Sequence, residues 1–481
     1  MTFAYRSSLS VLGVCAMLVA CGGSDPEPAR PQDSRKFTAD ATATTFAPMT
    51  AAATDTVDVS TTSRWAGVLN GAAYRVEVPA NWNGKLVMYA HGYAGKGDAL
   101  GISNPSIRRH LIQNGYAWAA SSYSKNYYDV RAGVEDTNAL AREFNAIAAK
   151  NGRALASPNR TYIIGHSMGG HIAAAAVEAE TMANVNNSVQ YHGAVPMCGV
   201  VGDTELFNQF AAMQVAAQVM TGYASTPTTQ WTSILGPVTA ALFSKFPTSS
   251  ADMSIVPTAL GMKYLSVVKN ITGGERPMFN QGVAFGGSFP SAYGVFGSDG
   301  TVDGILNASV LDTRSYTYTI DGDAAGSAAL NAAAFKFTPV ADANRLRRDG
   351  LRWIPQVNGQ FSVPVVTIHT LGDLFVPFSM EQVYQKRAAA NGSSKWLVQR
   401  AIRGASHCDF TNAEQVEAFD AMIAWEQAGI KPQGDDVLTA ATVAAPTYGC
   451  TYTRNTFTAD DSATVKALRG GIQASGAAPC P

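Results

Sequence analysis

The segment from residue 161 to residue 180 constrains the fold more than any other part of the chain. Residues 161–164 form a short apolar run typical of a buried strand, and small helix-forming residues extend from 171 to about 180. The six residues between them read G-H-S-M-G-G, so the positions two residues before and two residues after Ser167 are glycines and have no Cβ atom. The sequence therefore predicts a strand that turns sharply into a helix, with Ser167 on the turn.

Strand-like and helical segments alternate on both sides of this unit. Residues 135–150 show helical spacing, and runs typical of strands lie at residues 72–79, 85–90, 116–122, 189–197, 363–370 and 396–402. Such alternation favours a parallel sheet with helices on both faces. The predicted fold class is therefore α/β, with a mostly parallel, doubly wound sheet.

The alternation stops between residues 203 and 359, where Met- and Ala-rich helical stretches mix with loops rich in Gly, Ser and Asp. An interval of this length is too long for a simple connection. We interpret it as a large, partly helical cap inserted in the sheet domain. The predicted domains are then a core of residues 63–202 and 360–430, the cap of residues 203–359, and a C-terminal tail of residues 431–481.

The first residues predict export. Arg6 precedes an apolar run at residues 11–20 that is too short to span a bilayer, which is typical of a signal peptide of residues 1–20. Residues 18–22 (L-V-A-C-G) resemble the bacterial lipobox, which implies lipidation of Cys21 and a place in the outer membrane or cell envelope. An ordinary signal peptide would instead give a periplasmic or secreted protein. Residues 21–62 are rich in Pro, Ser, Thr, Ala and Asp, and we expect a flexible tether there.

Four of the six cysteines remain once Cys15 and Cys21 are assigned to the leader. An even number in an oxidising compartment predicts disulfides, and three pairings are possible. We favour a bridge within the tail, which leaves a second bridge beside residue 407; buried, reduced thiols are the alternative. The favoured pairs are Cys450 with Cys480, and Cys198 with Cys408.

Charge excludes some partners. The chain has 35 Lys and Arg against 36 Asp and Glu, a formal net charge of -1. So small a charge provides no field to gather nucleic acid, or to hold the folded body on an anionic membrane. The remaining partners are a small-molecule or polymeric substrate, and a membrane reached through an N-terminal lipid anchor.

The G-H-S-M-G-G turn resembles the nucleophile elbow of the lipase and esterase branch of the α/β-hydrolases. The resemblance implies Ser167 as nucleophile, followed along the chain by an acid and then a histidine base. Of the seven histidines, five precede the cap and His369 lies in a predicted strand, so His407 alone falls in a loop after the last strand.

The acid is predicted to be Asp373. It follows the strand of residues 363–370 in a turn, residues 371–377, that is similar to the family's acid turn with a shortened spacing between Gly and Asp. Asp409 is the rival, although it lies only two residues from His407. A purely structural alternative for Asp373 is a helix N-cap.

His91-Gly92, after the strand of residues 85–90, resembles the family's oxyanion loop, which implies backbone N–H donors from Tyr93 and Met168. Such a site needs neither a metal nor an organic cofactor. Carboxylates in Gly-rich loops at residues 299–303 and 321–323 lack the spacing of a calcium-binding EF-hand, and turn chemistry explains them more simply.

These residues together predict an exported serine esterase or lipase that hydrolyses carboxylic esters through an acyl-enzyme. Acylglycerols, polyester oligomers and aryl esters are the expected substrates. One alternative is an exported peptidase or acyltransferase with the same three residues. The alternative of another class is a catalytically dead lipoprotein that binds at the cell surface.

Overall fold

A computed structural model describes residues 36–39, 45–224, 231–247, 254–284, 287–296, 306, 308–344, 353–474 and 480. The described strands are β1 (Thr38–Ala39), β2 (Ser63–Leu69), β3 (Ala72–Val78), β4 (Lys85–Ala90), β5 (Ala99–Leu100), β6 (Ala117–Ser121), β7 (Arg160–His166), β8 (Ala194–Met197), β9 (Phe243–Lys245), β10 (Val256–Pro257), β11 (Val365–Thr370) and β12 (Leu397–Ile402). The described helices are α1 (Arg108–Gln113), α2 (Val130–Lys150), α3 (Met168–Ala175), α4 (Ala179–Asn184), α5 (Glu205–Met220), α6 (Trp231–Leu242), α7 (Ala259–Ile271), α8 (Phe279–Ala284), α9 (Ser288–Tyr293), α10 (Ala324–Ala333), α11 (Ser379–Ala390), α12 (Asn412–Ala428), α13 (Ala440–Val443) and α14 (Ala463–Ala474).

An eight-stranded sheet forms the centre of the molecule, with the strand order β12-β11-β8-β7-β4-β6-β3-β2. β3 runs antiparallel to β2 and to β6, and the remaining neighbours are parallel. The central strands are apolar and buried along most of their length, because helices cover both of their faces. The predicted fold class, a mostly parallel α/β sheet, is confirmed.

Two apolar layers show that the sheet is doubly wound. On one face, residues of α2, α3 and α11 pack against the strands, among them Phe144, Ile172 and Tyr384. On the other face, residues of α1 and α12 do so, including Leu111 and Phe419. Short-range signals start and stop these helices: Thr411 and Glu414 form a capping box before α12, and Gly429 ends α12 at φ 70°.

The interval predicted as a cap leaves the sheet after β8 and returns to it at β11, and it contains α5 to α10. These helices pack around an apolar cluster of their own that includes Met213, Tyr264 and Phe289. Leu374, from the loop after β11, belongs to the same cluster. The cap therefore contacts the core next to the predicted acid Asp373.

The predicted tether needs a correction, because residues 45–62 lie against the folded core. The Phe46 ring contacts Trp118 edge-on at 5.4 Å, and Val59 is fully buried. Asp55 accepts hydrogen bonds of 2.7 and 2.8 Å from Arg109. These contacts are made by isolated residues without helical or strand periodicity, so the sequence pattern does not indicate them. Residues 1–35, with the predicted signal peptide and Cys21, lie outside the described residues.

Both predicted disulfides are present, joining Cys198 to Cys408 and Cys450 to Cys480. Disulfides are typical of proteins in the periplasm or outside the cell. Among the described residues, no helix is both long and apolar enough to cross a membrane.

Candidate active site

Ser167 occupies a strained turn between β7 and α3, with φ 59° and ψ -121°. A Cβ atom at Gly165 would lie 2.1 Å from the carbonyl oxygen of Gly169, and one at Gly169 would lie 2.0 Å from that of Ala90. Neither distance is sterically possible without moving the backbone. The glycines are therefore required for β7, β4 and α3 to meet closely enough to hold Ser167 in this conformation.

Ser167, His407 and Asp373 lie together, joined by hydrogen bonds. The Ser167 hydroxyl is 2.8 Å from Nε2 of His407, and Nδ1 of His407 is 2.5 Å from Oδ2 of Asp373. Oδ1 of Asp373 accepts backbone N–H bonds from Phe375 (2.9 Å) and Val376 (3.0 Å). The Asp373 carboxylate is fully buried. One of its oxygens accepts the N–H groups of its own turn, and the other faces the imidazole of His407.

Asp409, the rival acid, has other partners. Its Oδ2 accepts from the backbone N–H of Ala405 at 3.1 Å, and its Oδ1 faces the guanidinium of Arg469 at 3.4 Å. Burial raises the pKa of Asp409, and the charge of Arg469 opposes that effect. Asp409 therefore links the loop that carries His407 to α14 in the predicted tail.

His166, next to Ser167, is held in a neutral form. Its Nε2–H donates to Oε1 of Gln415 at 2.9 Å, and its Nδ1 lies 3.3 Å from the hydroxyl of Tyr89. Burial lowers the pKa of His166 to about 4. With both nitrogens engaged and its pKa lowered, His166 is not placed to act as the base for Ser167.

The predicted oxyanion loop borders Ser167. A Cβ atom at Gly92 would lie 3.3 Å from Cβ of Ser167, so the backbone before Tyr93 passes directly beside the serine. Met168 is the first residue of α3, and N–H groups at that position have no acceptor within the helix. Both predicted donor residues thus belong to segments that adjoin Ser167.

Tyr123 supports this loop in a way that the sequence did not reveal. Its hydroxyl donates to the carbonyl oxygen of His91 at 2.9 Å, and its ring stacks on the His91 imidazole with centroids 4.2 Å apart. Tyr123 is buried and has a positive φ of 60°. An aromatic residue at a strand end gives no signal that distinguishes this role from ordinary packing.

Two aromatic rings, those of Phe375 and Phe210, lie beside the triad of Ser167, Asp373 and His407, and we call them the aromatic wall. The Phe375 ring is 5.6 Å from the His407 imidazole, and the Phe210 ring of α5 is 5.7 Å from Phe375. Phe210 also lines a small cleft with Phe207 and Phe296 of the cap. One side of the candidate active site is thus apolar and is built partly from the cap.

The described residues include one group with the ligand types of a metal site, namely Cys198, Cys408 and His407. The two sulfurs are bonded to each other, and Nε2 of His407 faces Ser167, so these atoms are engaged in other bonds. Asp323 caps α10 through the Gly326 N–H at 2.7 Å, which is the turn chemistry predicted for that loop. The other predicted Gly-rich loop, residues 299–303, lies outside the described residues.

The sequence matches no protein-family model and no curated protein. Similar solved structures include feruloyl esterase B from Aspergillus oryzae, at 17% identity and a TM-score of 0.41, over 77% of this chain and 82% of that one. The rice cell wall degrading esterase LipA from Xanthomonas oryzae is similar at 14% identity and a TM-score of 0.33, over 76% and 87% of the chains. Pyrococcus horikoshii acylaminoacyl peptidase is similar at 10% identity and a TM-score of 0.37, over 79% of this chain and 44% of that one.

These similarities are too weak to indicate a substrate. The class of protein is defined by its own geometry: an eight-stranded, mostly parallel sheet, with Ser167 on the turn after β7, Asp373 after β11 and His407 after β12. This arrangement is the α/β-hydrolase fold with the site geometry of a serine hydrolase.

Proposed function

We propose that the protein is an exported serine hydrolase that cleaves carboxylic esters through an acyl-enzyme. The observation that carries the proposal is the unbroken series of hydrogen bonds from Ser167 through His407 to the buried Asp373. A serine hydroxyl is a weak nucleophile until a base accepts its proton, and the base needs a partner that fixes its tautomer. All three parts lie within hydrogen-bonding distance.

The reaction follows from this geometry. The Ser167 oxygen attacks the ester carbonyl while Nε2 of His407 takes its proton, and Asp373 stabilises the imidazolium through Nδ1–H. The N–H groups of Met168 and Tyr93 would stabilise the oxyanion. The tetrahedral intermediate collapses to the acyl-enzyme as the alcohol leaves with the proton from His407. Water, activated by the same imidazole, then releases the acid and regenerates Ser167.

The aromatic wall supports an apolar acyl or aryl group as the part of the substrate nearest the triad. Phe375 and Phe210 present rings rather than charges beside His407. Apolar surface in a concave site favours apolar substrate groups, because their burial removes both surfaces from water. Acylglycerols, polyester oligomers and aryl esters all meet this condition.

Export and lipid anchoring are part of the proposal. The two disulfides support an oxidising compartment, and the lipobox-like residues around Cys21 support acylation. Radiolabelled palmitate fed to expressing bacteria should enter the full chain but not a Cys21→Ser variant. Equal labelling, or none in either, contradicts the anchor and leaves a periplasmic or secreted enzyme.

Labelling with a fluorophosphonate tests the chemistry directly. The folded protein without its leader should be labelled on Ser167, identified by mass spectrometry, and should hydrolyse p-nitrophenyl butyrate. Ser167→Ala should lose both reactions while keeping its circular dichroism spectrum, and Ser124→Ala serves as the control serine. If the wild type is neither labelled nor active, the protein is not a serine hydrolase. A peptide p-nitroanilide cleaved faster than every ester would indicate a peptidase.

A further inference from the structure

The cap supplies contacts on both sides of Asp373. Ser288, the first residue of α9, is buried. Its Oγ accepts a hydrogen bond from the backbone N–H of Leu374 at 3.1 Å and lies 3.4 Å from the carbonyl oxygen of Gly372. Leu374 and Gly372 are the neighbours of Asp373 in the chain. One hydroxyl of the cap therefore bridges the peptide groups that flank the predicted catalytic acid.

Two further cap residues contact the same turn. The buried Arg276 donates from Nε to the carbonyl oxygen of Leu371 at 2.8 Å. A Cβ atom at Gly282, in α8, would lie 2.0 Å from the carbonyl oxygen of Gly372. The cap backbone thus touches the backbone of the acid turn directly, and only glycine permits this approach.

The opposite side of the turn rests on the loop that carries His407. The N–H of Gly372 donates to the carbonyl oxygen of Gly404 at 2.9 Å. A Cβ atom at Gly372 would lie 2.7 Å from Cα of Ala405. The acid turn is therefore enclosed between the cap and the histidine loop, with the Asp373 carboxylate aimed at His407.

We propose that Ser288 is a positioning residue for Asp373, and that the cap around Arg276, Gly282 and Ser288 is a fixed part of the catalytic machinery rather than a lid that leaves the core. This inference rests on the proposed function, since Asp373 has its catalytic role there. A rotation of the turn would move the carboxylate away from His407. A misplacement of about 1 Å in an active site can cost roughly 100-fold in rate.

Ser288→Ala tests the inference, with Ser291→Ala as its control. Ser291 lies in the same helix, is exposed, and bonds only locally to the Gly287 carbonyl oxygen at 3.2 Å. We expect Ser288→Ala to lower kcat for p-nitrophenyl butyrate about 10- to 100-fold with KM within about twofold of wild type. Ser288→Thr, which keeps a hydroxyl, should recover most of kcat, and Ser291→Ala should retain the wild-type value.

A double variant separates positioning from general loss of structure. If Ser288 acts through Asp373, Ser288→Ala should lower kcat no further in an Asp373→Asn background. Gly282→Ala offers a second perturbation, because its Cβ must push α8 away from Gly372, and we expect a similar loss of kcat. Gly471→Ala, a helical glycine with nothing within 4 Å of its Cβ position, is the matched control.

Wild-type kcat in folded Ser288→Ala and Gly282→Ala overturns the inference, and so does an equal loss in the Asp373→Asn background. If Ser288→Ala does not fold, the comparison of Gly282→Ala with Gly471→Ala decides alone. An unlabelled, inactive wild type would refute the proposed function. A labelled, active wild type with unaffected variants refutes only the positioning role.

Discussion

The disulfide between Cys198 and Cys408 should stabilise the fold more than the one between Cys450 and Cys480, and it alone should affect catalysis. The first closes a loop with a sequence separation of 210 and the second a loop with a separation of 30. Loss of chain entropy in the unfolded state predicts contributions of about 5.4 and about 3.6 kcal/mol, with strain and residual structure reducing both. We therefore expect the double substitution of Cys198 and Cys408 by Ala to cost about 1 to 2 kcal/mol more than that of Cys450 and Cys480.

The effect on catalysis follows from what the first bridge connects. The N–H of Ser167 donates to the carbonyl oxygen of Met197 at 3.0 Å, and Met197 precedes Cys198. Cys408 follows His407, whose Nε2 faces Ser167. Contacts therefore run in a ring from Ser167 through Met197 and the disulfide to His407 and back to Ser167. Removing the bridge breaks this ring and loosens the distance between Ser167 and His407. We expect kcat to fall at least about 10-fold.

Urea unfolding and ester hydrolysis measure the two effects. Both cysteine pairs should be compared with and without dithiothreitol, which should lower both the stability and the kcat of the wild type. In the variant without Cys198 and Cys408, dithiothreitol should leave kcat unchanged and lower the stability only by the contribution of the remaining bridge between Cys450 and Cys480. Equal destabilisation by removal of either bridge would refute the entropy estimate. An unchanged kcat in the variant without Cys198 and Cys408 would show that this disulfide does not help to position His407 against Ser167.

Three further predictions address single side chains. Asp373→Asn should lower kcat about 10,000-fold in a p-nitrophenyl ester assay, whereas Asp409→Asn should mainly lower the melting temperature; a larger kcat loss in the second variant would reverse the assignment. Burial raises the pKa of Glu178 from 4.5 to about 7, so its contribution to stability is present below pH 4.5 and is lost as the pH rises through 7. The free energy of unfolding of Glu178→Gln, measured by urea titration, should accordingly rise by about 3 kcal/mol relative to that of the wild type between pH 4.5 and pH 8. Parallel pH profiles of unfolding free energy for the two proteins would contradict this. Phe210→Ala should raise kcat/KM for long-chain relative to short-chain esters, while Phe246→Ala, a partly buried cap aromatic whose ring packs on Phe243 and Tyr293, should leave the ratio unchanged.

The parts of the molecule that could be predicted are those encoded by short-range signals. The α/β class followed from the alternation of strands and helices, and the turn at Ser167 from its glycines. The structure then brings Ser167, Asp373 and His407 together, because parallel strands bring their carboxyl ends to one edge of the sheet. The order of three local motifs was sufficient to indicate residues that are 34 and 240 positions apart.

The parts that could not be predicted depend on contacts between distant segments with no motif of their own. Ser288 and Arg276 lie in an interval whose sequence shows only helical and loop-like composition, and their partners in the acid turn are backbone carbonyl and N–H groups, which carry no sequence information. The contacts of Phe46 and Asp55 also leave no periodic pattern in the sequence, because each of these residues contacts a different element of the core. Composition alone therefore misassigned residues 45–62 as tether.

The C-terminal segment shows how such contacts reach the site. Arg469 of α14 is almost fully buried and donates to the Asp409 carbonyl oxygen and to Oε2 of Glu414 at 2.9 Å. Glu414 is the same residue that completes the capping box of α12, directly after the histidine loop. Two buried carboxylates without a cation would be costly, because charge is poorly solvated in the interior. The segment predicted as a tail thus provides the charge that allows Asp409 and Glu414 to hold the loop of His407, just as the cap holds the turn of Asp373.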